Sequence, residues 1–97
     1  MKTLEEIGSA IRAHQDELRK RYKARVVGVF GSYVRGEQRD DSDLDVLAEF
    51  DPDASLLDLC GAEVMLSEIL GVKVDLVPRE DIRPELKEMI ESESVAV

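Results

Sequence analysis

The chain has one cysteine, one histidine, three prolines, no tryptophan and no long apolar run. Each shortage excludes something. A lone Cys60 rules out a disulfide framework within the chain and a cysteine-only zinc site. With His14 as the single histidine, a zinc cage built from nitrogen and sulfur ligands of this chain is excluded as well. No stretch approaches the roughly 18 apolar residues of a membrane helix. The acidic, amphipathic opening MKTLEEIGSAIRAHQDE does not read as a signal peptide, so the expectation is a cytoplasmic protein that does not engage a membrane. Six glycines and three prolines, against 43% hydrophobic and 36% charged residues, exclude collagen-like and low-complexity chains. At 97 residues the chain is expected to be one domain, spanning 1–97, with a modest core.

Basic residues are also scarce: 13 against 22 acidic ones, a net charge of −9. That balance disfavours direct nucleic-acid binding, which needs Lys and Arg to neutralise phosphates. The distribution is uneven. Arg12 to Arg39 carries eight basic and three acidic residues, whereas the chain from Asp40 onward carries 17 acidic and four basic. Most of these charges read as solvated surface. The sharper reading is a positive region for a phosphate-bearing ligand beside an acidic metal site.

The apolar pattern predicts an αβαβαβα order, with a very short second helix. Thr3-Leu4-Glu5-Glu6 has the form of a capping box. Leu4, Ile7, Ile11, Leu18 and Tyr22 then share a stripe that predicts a helix over 4–22, with His14 at the core edge. Residues 25–30 read as a buried strand ended by Gly31-Ser32, followed by a short helix or turn over 33–37 and a polar loop through Gly36 and Asp40-Asp41-Ser42. Alternation over 43–50 predicts a second strand, with Leu44, Val46 and Ala48 on one face and Asp43, Asp45 and Leu47 on the other. A helix over 55–70 follows, with Leu56, Leu59, Val64, Leu66, Ile69 and Leu70 as apolar candidates, Cys60 as a small core residue and Gly71 as C-cap. Residues 72–77 form a third strand stopped by Pro78. Asp81 is the expected cap of a last helix through about Ser92, and Val95-Ala96-Val97 can dock. About twelve residues join the first two strands, close to the minimum for a parallel crossover. An antiparallel first pair, and so a small mixed sheet covered by helices (α/β or α+β), is expected.

Asp43-Leu44-Asp45 carries the chemistry. Aspartates at i and i+2 of a strand share a face, and such a pair beside apolar residues needs compensation, which a divalent cation supplies. Mg²⁺ suits one or two carboxylates plus substrate phosphates, and two such ions can clamp an in-line phosphoryl displacement. Gly31-Ser32 at a strand end offers backbone N–H groups and a hydroxyl to a phosphate, with Arg35 about one turn further on. Asp75 sits in the apolar strand 72–77, where it either pairs with Lys73 or meets Asp43 and Asp45 on a neighbouring strand.

Gly31-Ser32, ten residues, then Asp43-Leu44-Asp45 resembles the Gly-Ser-x10-Asp-x-Asp pattern of the polymerase-β-like nucleotidyltransferase superfamily. The stretch GSYVRGEQRDDSDLDVL is similar to its minimal members, and the likeness covers residues 24–78. The resemblance implies that Asp43, Asp45 and Asp75 are catalytic and bind two Mg²⁺ ions, with Asp75 helping to activate the acceptor hydroxyl. It implies that Gly31, Ser32 and, less directly, Arg35 bind the phosphates of ATP. Minimal members are similar to the antitoxins of two-gene modules whose partners are HEPN-type ribonuclease toxins. The implied reaction transfers AMP from ATP to a tyrosine hydroxyl of that toxin within a hetero-oligomer. The alternative is an antitoxin that neutralises its partner by occlusion alone. Arg12, Arg19, Arg21 and Arg25 are candidates for the partner surface, while Tyr22 and Tyr33 read as packing residues, with self-modification sites as the alternative.

Overall fold

The computed structural model describes residues 3–37, 39 and 43–97. The expected polar loop at Asp40-Asp41-Ser42 therefore lies outside the described residues. Helix α1 spans Leu4–Tyr22 and opens on the expected capping box, in which Thr3 and Glu6 each satisfy the other's backbone N–H. Its stripe is buried as the periodicity requires: Ile7, Ile11 and Leu18 are wholly inaccessible, while Leu4 and Tyr22 pack at the core margin. Strand β1 (Ala24–Phe30), the four-residue helix α2 (Ser32–Arg35), β2 (Leu44–Phe50), α3 (Leu56–Leu70) and β3 (Val74–Pro78) follow. A 3₁₀ turn at Arg79–Asp81 leads to α4 (Pro84–Glu93) and a two-residue strand β4 (Val95–Ala96).

The sheet order is β3-β2-β1-β4. β1 pairs antiparallel with both β2 and β4, and β2 pairs parallel with β3, so the mixed sheet is as expected. Helices α1 and α3 cover one face, where Val26, Val29, Leu44, Val46, Ala48, Val74 and Leu76 form the sheet's share of the core. The other face of β2 carries Asp45, Leu47 and Glu49.

Both flanks of the sheet are closed by side chains reaching from the helices. On β3, Val74 N–H donates to Ser67 Oγ at 3.1 Å and Leu76 N–H to Glu63 Oε2 at 2.9 Å. Glu63 and Ser67 stand four apart on α3, one above the other, and so meet alternate residues of the strand. On β1, Gln15 acts as a one-residue strand: its Nε2 donates to Val26 O at 2.9 Å and its Oε1 accepts from Val26 N–H at 3.1 Å. The ladder slips by one residue between Val26 and Gly28, a β-bulge at Val27. At Gly28 the chain comes so close to β4 that a Cβ would stand 2.8 Å from Val95 O, so a side chain there would push the C-terminal strand away.

Three sequence expectations need correction. Leu56 and Val64 are exposed at 73% and 57%, and Cys60 is also exposed. The Glu63 and Ser67 bonds to β3, with the Tyr22 ring pressed on Gly61, fix the rotation of α3 and turn Ala62, Met65, Leu66 and Leu70 inward instead. The last helix is not capped by Asp81, which closes the 3₁₀ turn. Pro84 holds the preceding Arg83 extended (φ −60°, ψ 138°), so the helix starts at the proline itself.

Replacing Gln15 by Leu keeps the bulk but strands both polar groups of Val26. The expected loss is about 1–3 kcal/mol, read as a lower urea midpoint with an unchanged m-value.

Candidate active site

The site lies at the end of the sheet where β1 finishes and β2 begins. Register brings it together: Asp45 pairs with Phe30 of β1 on one side and with Asp75 of β3 on the other. Two carboxylates thus sit in adjacent parallel strands, about 4.8 Å apart in the hydrogen-bonding direction. The structure chooses the second alternative for Asp75: it meets Asp45 across the sheet. Asp43, half-buried just before β2, lies two residues from Asp45, and Leu44 N–H anchors the strand entry to Lys73 O at 2.8 Å.

Gly31 follows Phe30 directly, with φ 83° and ψ −150°, a conformation that side chains rarely adopt. A second constraint acts at the same atom. A Cβ on residue 31 would collide with Asp45 Oδ2 and press on its Cγ and Cβ, so the Asp45 side chain occupies the space that glycine leaves. The Gly31 carbonyl accepts from Val34 and Arg35 N–H, both at 3.1 Å, which turns the chain into α2 with half-buried Ser32 as its first residue. Tyr33, buried to 5% exposure, pins α2 to the core, and Tyr22 packs on Gly61, so both tyrosines are packing residues.

Burial holds the Asp45 carboxyl above its usual range; the charges of Asp75 and then Asp43 push the same way, Arg35 opposes them, and Glu93 adds to the rise. Among the described residues, no three Asp, Glu, His or Cys side chains are already gathered to hold a metal by themselves. The donor set nevertheless fits Mg²⁺. That ion takes one or two carboxylates and completes its shell with water and substrate phosphates, and a dication would offset the repulsion felt at Asp45.

Arg35 is about half exposed and is held by two of the chain's own carboxylates. It pairs with Glu37 at 3.3 Å and with Glu93 at the end of α4. Sequence reasoning passed over Glu93. The signal was present in the terminal Val-Ala-Val: once Val95 pairs with Val29, Glu93 falls two residues further on, level with Gly31. A second ionic chain runs across the same sheet face. Glu49 accepts from Arg25 at 2.8 Å and from Arg79 at 2.6 Å, and Arg79 also donates to Glu91 at 2.6 Å. The Arg25 and Arg79 guanidiniums hold the Glu49 carboxyl below the usual range. Two of the four arginines considered for a partner surface are therefore engaged within the chain, Arg25 by Glu49 and Arg21 by Glu17.

Because the Asp45 carboxyl is raised in the folded state, its ionisation opposes folding. Stability contributed by this group is lost as pH rises from the usual carboxylate range through the raised value. Asp45→Asn keeps the contact with Gly31 and removes that charge. In metal-free buffer it should raise Tm at pH 7, with the gain shrinking as melts are repeated down to pH 3.

Residues 11–97 match the family model described as a nucleotidyltransferase domain. The protein adenylyltransferase MntA of Thermococcus cleftensis is 45% identical over 97 residues, an alignment covering 100% of this chain and 98% of the relative. A solved structure taken to be a minimal nucleotidyltransferase superposes with a TM-score of 0.82 at 38% identity, over 99% of this chain and 97% of that one. A chain from the crystal structure of a toxin–antitoxin with AMP-PNP shares the fold, with a TM-score of 0.67 at 22% identity, over 84% of this chain and 67% of that one. A glycine-serine turn, a strand opening on paired aspartates and a third carboxylate in register thus stand on the matching fold and within the matching residues: the chain belongs to the nucleotidyltransferase domain family and is a nucleotidyltransferase.

Proposed function

We propose that the chain transfers AMP from ATP to a tyrosine hydroxyl of a HEPN-type ribonuclease toxin and thereby serves as its antitoxin. The observation that carries the reading is the in-register pairing of Asp45 with Asp75 directly beside the Gly31-Ser32 turn. The full-length likeness to a protein adenylyltransferase supports a protein as acceptor. The toxin–antitoxin setting and the bound ATP analogue belong to a structural relative and support the partner class and the nucleotide.

Asp43 and Asp45 would hold Mg²⁺ together with the nucleotide phosphates, two ions in all, with Asp75 completing the site on the acceptor side. When bound, the metal neutralises charge on the phosphates and lowers the pKa of the acceptor hydroxyl. Gly31 N–H and the Ser32 hydroxyl would donate to the β- and γ-phosphates. Asp75 takes the hydroxyl proton as the tyrosine oxygen bonds to the α-phosphorus and the bond to the pyrophosphate oxygen breaks. Little covalent work falls to the protein; its part is positioning and charge. Arg35 already serves Glu37 and Glu93 through two of its nitrogens, so a phosphate would share its charge with these carboxylates.

The test is intact-mass spectrometry of the product of the adjacent gene, expected to be a HEPN-type protein, after incubation with the chain, Mg²⁺ and ATP. The partner should gain one or more AMP units. Asp43→Asn/Asp45→Asn should slow the gain by about 10²-fold or more while partner binding persists. Chelation should abolish it. A partner that is bound and silenced with no change in mass would instead establish occlusion.

A further inference from the structure

The end of the sheet remote from the carboxylates holds a cleft of about 410 Å³, between the loop that leaves β2, the first turn of α3 and the 3₁₀ turn after β3. We infer that this cleft is the docking surface for a basic amphipathic segment of the protein on which the chain acts. The inference rests on the reading above that the chain acts on a protein partner, and adds where that partner is gripped.

The cleft is part of an uncovered apolar surface. Phe50, Leu56 and Leu59 line it between Pro52 and Pro78. Leu56 is mostly exposed, and Leu57, the next residue of the helix, is exposed to 82%, so apolar surface continues past the cleft onto the outside of α3. A small molecule filling the cleft would leave Leu57 bare. A helix or extended segment laid across the start of α3 would cover both leucines.

Charge selects the occupant. Asp51, Glu80 and Asp81 stand at the cleft, and no Lys or Arg lines it. None of the three makes a salt bridge among the described residues, whereas nearby Asp53 is taken by Lys23 and Glu49 by Arg25 and Arg79. From Asp40 to Val72 the sequence carries ten acidic residues and no basic one. A second copy docked about a two-fold axis would set these carboxylates against themselves. Anionic lipid and nucleic acid are repelled for the same reason. A protein segment that carries Lys or Arg beside its apolar anchors is attracted, and its cations find carboxylates that this chain leaves unpaired.

Position makes the cleft useful. Phe50 lies five residues beyond Asp45 on β2, about 17 Å along the strand. A partner held there leaves Gly31, Ser32 and the aspartates open, and the span is less than the width of a small domain. One partner can thus be gripped at one end of the sheet while its hydroxyl enters at the other.

The probe is the product of the adjacent gene, titrated into the chain by calorimetry at low and high salt, with the ATP affinity of each variant measured in Mg²⁺. Leu56→Ala/Leu57→Ala removes the apolar anchors at exposed helical positions that alanine suits. Glu80→Lys/Asp81→Lys reverses the charge at the rim. Each should weaken partner binding by at least about tenfold. The charge reversal should also flatten its salt dependence. ATP affinity should stay within about twofold, because the two sites are far apart, whereas a damaged fold would lose it. If both folded variants keep their partner affinity, the docking surface is overturned and the transfer reading is untouched. If the chain alone sediments as a dimer that Leu56→Ala/Leu57→Ala dissociates, the occupant is a second copy and the inference is overturned as well. A partner that binds through the cleft and never gains AMP would leave the docking surface standing and overturn the transfer. A product that does not bind the unaltered chain would overturn both.

Discussion

The contact between Asp45 and Gly31 governs the site. The side chain of the first occupies the place where a Cβ on the second would be, and the backbone of the second turns through a conformation that favours glycine. One residue pair thereby sets three things. It ends β1, it orients the carboxylate, and it starts the turn that presents Ser32. The ladder makes this possible, because Phe30 pairs with Asp45 and so delivers the next residue, Gly31, to its side.

The site is electrostatically costly in the absence of bound cation. Asp75 is brought into register with Asp45, Asp43 lies close by, and Glu93 approaches from the other end of the chain. Arg35 offsets part of this charge among the described residues, and it is itself shared between Glu37 and Glu93. Such a concentration of like charge is worth keeping only where a ligand of opposite sign is to be bound, and stability is commonly given up at functional sites for that reason. Among the described residues no helix is long and apolar enough to cross a membrane, and the core that carries this cost is the small one between the sheet, α1 and α3.

The two faces of the sheet have divided their tasks. The face under α1 and α3 is apolar and closed, and both of its flanks are sealed by polar side chains: Gln15 on β1, Glu63 and Ser67 on β3. These groups satisfy backbone that would otherwise invite further strands. The opposite face is left open at the carboxylates and half covered by Arg79, the end of α4 and β4. The covering is held by ion pairs more than by apolar packing, since α4 buries none of its residues fully.

Much of this was legible in the residues alone. The α1 stripe and its capping box, the alternation in β2 and the Gly-Ser-x10-Asp-x-Asp spacing are local or short-range, and local periodicity is what a sequence displays directly. The mixed sheet followed from one connection length. The rotation of α3 did not, because that helix is apolar nearly all round and offers no polar face to orient it; only the Glu63 and Ser67 bonds to β3 and the Tyr22 contact decide which leucines turn inward. The start of α4 depended on Pro84 constraining Arg83, a local effect that outweighed the capping preference of Asp81. The sequence by itself determined which residues carry the charge and the turn. Tertiary structure alone decided that Asp75 faces Asp45 and that Glu93 closes on Arg35, because strand register and a contact across 58 residues arise from packing and leave no period to read.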